Sequence, residues 1–166
     1  MKTLMFCSTL LCLLASPAQA QLRNINDISL AAANKLANAA MAACQAQGRH
    51  IAVTVLDRGG NVVAVQRADG VGPHNTDASR RKAYTALSTK SDTYTLAVAA
   101  NANPDMRNLA TVPELLLLGG GLPLRAKGEV VGAIGVAGGG GGGALPDRAC
   151  ALAALAAIPE LDSPTL

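Results

Sequence analysis

The sequence predicts an α+β fold: an antiparallel sheet of four to five strands, made from two hairpins and packed with N- and C-terminal helices and a middle helical pair. Three observations carry this. β-Branched runs occur in two pairs, at 51–66 and 122–137, each pair joined by a short glycine-bearing turn. Segments with helical spacing of apolar residues precede, separate and follow these pairs. Short turns, rather than long crossovers, connect the strands within each pair, which makes their pairing antiparallel.

The elements follow in order. Residues 1–20 stand apart from the fold: Lys2 gives a positive start, 4–15 is an apolar run too short to span a bilayer, and Ala18-Gln19-Ala20 is an A-x-A cleavage site. This is a signal peptide, and the product is expected to be periplasmic or secreted, with no stable membrane insertion after cleavage. Cys7 and Cys12 lie within it, each preceded by a large residue rather than the small one a lipoprotein site needs. One domain is expected over 21–160, with 161–166 a C-terminal tail.

Within the domain, 27–47 is the first helix, with Leu36, Ala40, Ala43 and Cys44 on one face and Gly48 placed to end it. The first hairpin pairs 51–56 with 62–66 through Asp57-Arg58-Gly59-Gly60-Asn61. After Arg67, residues 68–75 hold two glycines and a proline and form a loop. A helix then starts at Asn75 or Thr76, with Asp77 in its first turn, and runs to about Lys90. Ser91 or Asp92 caps a short third helix that Asn103-Pro104 ends. Residues 115–118 are the candidate fifth strand. The second hairpin pairs 122–126 with 129–137 through Lys127-Gly128, and glycine runs at 119–121 and 138–143 flank it. The last helix starts at Pro146 or Asp147, carries Cys150, Leu152, Leu155 and Ile158, and stops at Pro159.

Composition narrows the function. The chain has no Trp, and its one Phe lies in the signal peptide, so the core is built from small aliphatic side chains that let helices lie close on a sheet. A formal net charge of +3, one unit of which leaves with Lys2, is too small and scattered for a nucleic-acid partner. Cys44 and Cys150 fall on apolar helix faces and are either buried thiols or one disulfide between adjacent helices.

Few motifs carry chemistry. Residues 138–143 match G-x-G-x-x-G, but six consecutive glycines match every glycine pattern, and neither a completing strand nor a Gly-Lys-Ser/Thr follows. A flexible connector or a loose lid is expected there. His50 and His74 show no zinc-ligand spacing. A porphyrin iron needs only one or two protein donors, which makes His74 the candidate axial metal ligand, with a merely solvated loop histidine as the alternative. His50 opens the first strand and faces solvent or a neighbouring subunit. Arg80, Arg81 and Lys82 project about 100° apart on their helix, so one or two of them at most meet a ligand carboxylate. Tyr84, one turn on from Arg80 and Arg81, either shares a hydrogen-bonding face with them or sits at the core edge. No nucleophile elbow and no local pair of nucleophile and base is present, which leaves an enzyme the least supported class.

Four ordered motifs, VTVLDRGGNVVAVQRADG, DASRRKAYTA, LGGGLPL and GEVVGAIGVAGG, resemble the GlcG/HbpS-like haem-binding (haem-degrading) proteins, over nearly the whole of the chain after its leader. The resemblance implies an α+β domain that forms homo-oligomers and, in some members, binds haem between subunits or degrades it. Asp57, Gly59, Gly60, Arg67, Asp69, Gly70, Lys82, Ala83, Tyr84, Gly119, Gly120, Gly121, Pro123 and Gly135 fit the family pattern; His74 and the hexaglycine depart from it. It implies haem, or another small planar ligand, as the bound group. His74 is then the axial candidate, Arg67, Arg81 or Lys82 the propionate partner, and Tyr84 part of the same cleft. Related domains accompany corrinoid enzymes, so the alternative is a non-catalytic small-molecule or corrinoid accessory module that acts with a partner enzyme.

Overall fold

The structure, a computed structural model, describes residues 23–140 and 144–163. Residues 1–20, read above as a signal peptide, lie outside the described residues. Helix α1 spans Leu30–Gln45, later than the spacing of apolar residues suggests. Ser29 caps it by accepting from the Ala32 amide, while Asp27 is drawn away to accept the amides of Ile28 and Arg58 at 2.8 Å each. Gly48, at φ +68°, turns the chain out of the helix as expected.

Strands β1 (Ala52–Asp57) and β2 (Val62–Arg67) form the first hairpin, and β3 (Gly121–Ala126) and β4 (Glu129–Ala137) the second. Lys127 and Gly128 both have positive φ, 53° and 79°, as a two-residue hairpin turn demands. The hairpins join through antiparallel β1–β4 pairing, giving the order β2-β1-β4-β3. Between the hairpins lie α2 (His74–Thr89), α3 (Thr93–Ala102), the short α4 (Pro104–Arg107) and a turn of 3₁₀ helix; α5 (Leu145–Leu155) closes the domain. Among the described residues four strands form, not five: residues 115–118 pair with no strand and are instead tied to helices, Leu116 N–H donating to Thr85 Oγ1 and Leu118 O accepting from Thr93 Oγ1. Helix α2 begins at His74, a residue ahead of expectation, because Pro73 already has helical dihedrals and neither Asn75 nor Thr76 is used as a cap.

Helices cover both faces of the sheet, which explains why β4 is buried almost continuously rather than alternately. Val53, Val55, Ile134 and Val136 pack against α1 and α5; Leu56 and Ala133 pack against Ala83 and Ala86 of α2. Contact on the α2 side is close. A methyl group at Gly135 would lie 2.0 Å from the Ser79 carbonyl oxygen, and one at Gly121 2.2 Å from that of Lys82. Thr54 and Ser79 share a buried hydroxyl hydrogen bond of 2.7 Å across the same interface. On the opposite face Cys44 and Cys150 form a disulfide that staples α1 to α5.

Candidate functional site

Helix α2 runs antiparallel to β4, with Asn75 beside Gly138, Ser79 and Ala83 beside Gly135, and Tyr84 beside Gly60 of the first hairpin turn. Its two ends therefore serve two different regions, and the candidate residues divide between them. His74, at the amino end, is exposed; its ring packs beside Gly72. Arg67, exposed at the end of β2, and His50, whose Nδ1 lies 3.0 Å from the Asp69 carbonyl, belong to this same end of the sheet.

Lys82 is not the free surface cation that the consecutive basic run suggests. It is 1% exposed, and its ammonium donates to Asp147 Oδ2 at 2.8 Å and to the Val136 carbonyl at 3.0 Å. The other Asp147 oxygen accepts the Gly139 amide at 2.7 Å. A propionate would have to displace a buried partner, so Lys82 is a structural cation. Arg81 is also engaged, donating from Nη2 to the Leu115 carbonyl at 2.8 Å. Residues 138–140 are not a loose lid either: Asp147 holds Gly139, and Arg49 Nη1 donates to the carbonyls of Gly139 and Gly140. The rest of the hexaglycine lies outside the described residues.

Tyr84 stands at the carboxyl end of α2, ten residues and roughly 15 Å along the helix axis from His74. Because β1 and β4 are antiparallel, both hairpin turns fall at this end of the sheet, and a cavity of about 590 Å³ opens between them and the helix. Tyr84, Leu87 and Val130 line it with carbon, and Arg58, Lys90 and Arg125 bring three cations against one carboxylate, Glu129. Arg58 pairs with Glu129 at 3.1 Å, in an exposed geometry that is weakly held. Arg125 is fixed more firmly, donating to the carbonyls of Lys90 at 2.8 Å and Gly128 at 3.3 Å.

The first turn itself is braced by Asp57, which accepts from the Asn61 amide at 2.8 Å and the Asn61 side chain at 2.9 Å. Burial pushes the Asp57 carboxyl up, but the bonds from the Asn61 side chain and from the amides of Asn61, Gly59 and Gly60 outweigh it and hold the group below its usual value. Arg58, Lys90 and Arg125 escaped the sequence reading. Each sits within two residues of a turn or helix end, a signal that becomes visible only once the two hairpins are known to pair with their turns at one end.

No group of three or more metal-ligating side chains occurs among the described residues, and none of their helices is long and apolar enough to cross a membrane. An iron held here would need a macrocycle to supply most of its donors.

The fold agrees with the comparisons. The family model described as haem degrading protein HbpS-like matches residues 28–156, and the chain belongs to that family. Among its relatives is an uncharacterized 15.0 kDa protein of the dhaT-dhaS intergenic region of Citrobacter freundii, 34% identical over 70% of this chain and 84% of that protein. The crystal structure of a Streptomyces reticuli HbpS double mutant superposes with a TM-score of 0.76 at 39% identity, covering 87% of this chain and 97% of the other. PduOC, solved as a complex with haem, shares the fold at a TM-score of 0.73 and 22% identity, over 84% of this chain and 99% of that one.

Proposed function

We propose that this chain is an exported haem-binding protein that takes haem at the turn end of its sheet. One observation carries the choice of site: of the residues singled out in the sequence for haem, Tyr84 lines a cavity rimmed by cations, whereas His74 is exposed at the other end of α2. Family membership supports the ligand class. Haem, when bound, brings an iron that accepts a tyrosine or histidine donor and two propionates that require positive partners. In this chain Tyr84 would supply the donor and Arg58, Lys90 and Arg125 the propionate contacts, while Leu87 and Val130 keep water from the face of the ring. Export is supported by the leader-like segment 1–20 and by the Cys44–Cys150 disulfide, a bond that persists in oxidising compartments.

Titrating hemin into the purified mature protein tests this. The expected result is a saturable, shifted Soret band that Tyr84→Phe changes and weakens and that His74→Ala leaves as it is. The reverse pattern would move the iron to the amino end of α2, and a featureless titration at micromolar hemin would remove haem altogether. A cobalamin that copurifies from the periplasm, without any hemin shift, would favour the corrinoid accessory role. Adding a reductant in air separates degradation, which bleaches the Soret band, from storage, which retains it.

A further inference from the structure

We infer that Asp162 is a positioning residue for the ligand cavity, fixing the Lys127–Gly128 turn and, through it, Arg125; this rests on the cavity being the ligand site. Residues 156–163, which follow α5, do not trail away from the domain. The Leu161 amide donates to the Ile158 carbonyl at 3.1 Å, and the Asp162 amide donates to the Arg125 carbonyl at 2.8 Å. The Asp162 carboxylate then spans the second hairpin turn, Oδ1 accepting the Lys127 amide at 2.9 Å and Oδ2 the Gly128 amide at 2.7 Å. Two successive amides converging on one carboxylate make a charge-assisted anion nest.

The turn needs this help because Lys127 occupies the left-handed region, at φ 53°, where a residue with a Cβ is disfavoured. The bonds from Asp162 hold the conformation that the lysine alone resists. What they hold matters for the cavity. Arg125 is suspended between two carbonyls, Lys90 at the end of α2 and Gly128 within the turn, and it forms part of the cationic wall. Releasing Asp162 frees Gly128, and Arg125 is left with one of its two anchors. The strap therefore links the carboxyl-terminal segment to the charge that meets the ligand, without Asp162 itself lining that cavity.

The experiment compares wild type with Asp162→Ala and Asp162→Asn, each alone and combined with Arg125→Ala. Two readouts are taken: amide hydrogen exchange at Lys127 and Gly128, and hemin affinity. In Asp162→Ala both amides should exchange about tenfold faster or more, with Asp162→Asn in between, and hemin affinity should fall about tenfold, the size expected for a lost charge-assisted bond. In the Arg125→Ala background Asp162→Ala should cost no further affinity. Equal losses in both backgrounds, or turn amides that stay protected without the carboxylate, would overturn the role. If wild type binds no hemin, the haem reading fails by itself. The strap is then judged on exchange at the turn and on the Arg125 Nη–H signals, which must sharpen or shift in Asp162→Ala for it to stand.

Discussion

Lys82 reaches from the middle of α2 into a site where its side chain is 2% exposed and its partner Asp147 7% exposed. An ion pair so enclosed is costly to break, since removing one member strands the other. Lys82→Met should therefore lower unfolding free energy by about 3–5 kcal/mol, with Lys82→Met/Asp147→Leu recovering much of the loss; urea denaturation of the three proteins measures both. Gly135→Ala should also cost about 1–3 kcal/mol or more, because its methyl would overlap the Ser79 carbonyl and α2 would have to lift from the sheet. Asp57 acts through pH instead. Its folded carboxyl titrates below the usual 3.8, so its contribution is present above that value and is lost as pH falls through the folded one. Asp57→Ala should melt below wild type at neutral pH, and the gap should close in acid well under 3.8; a gap that stays constant with pH would refute the assignment. At this scale the sequence exposed only local chemistry. It showed a basic run containing Lys82, but the carboxylate that takes that charge lies 65 residues away, and no spacing rule reaches so far.

At the scale of elements, the hairpins and the longer helices were legible because they are signalled by their own residues: β-branched pairs, glycine turns, helical spacing of apolar residues, and Asp92 as a cap. Departures came where a neighbour competed. Asp27 gave its carboxylate to the first hairpin turn, and α1 shortened; residues 115–118 bonded to Thr85 and Thr93, and the fifth strand did not form. The glycines at 119–121 were expected for their conformational freedom, yet each also leaves no room for a Cβ, which would strike Ala144 at Gly119, the Val136 carbonyl oxygen at Gly120 and the Lys82 backbone at Gly121. The disulfide is an element-level constraint too. It closes a separation of 106 residues between the helices of one layer, so replacing Cys44 and Cys150 by alanine should cost about 2–5 kcal/mol in stability, read from denaturant midpoints of the oxidised and substituted proteins.

For the molecule as a whole, coverage of the sheet is uneven. Helix α2 lies over β4, β1 and β3 but barely reaches the edge strand β2, leaving Val62 50% and Val65 43% exposed on its side. A homo-oligomer would cover this strip. Val65→Lys should then shift the mass measured by light scattering toward the monomer, and an unchanged mass would place any subunit contact elsewhere. The candidate site also belongs to this scale. Tyr84 was named from sequence, but His74, Arg67 and Lys82, which the same motifs group with it, are distributed to the far end of α2 or into the interior, because a helix of this length spans the sheet from one end to the other.

The sequence by itself determined the class of fold, the order and approximate bounds of the two hairpins and the longer helices, and the family, since these depend on periodicity, turn chemistry and motif order along the chain. Tertiary structure alone decided that β1 pairs with β4 and so brings both turns to one end, that Lys82 is spent inside on Asp147, and that Arg58, Lys90 and Arg125 gather around Tyr84. The reason is physical. Local structure is fixed by interactions among residues a few positions apart, whereas a site is fixed by which distant surfaces exclude water together.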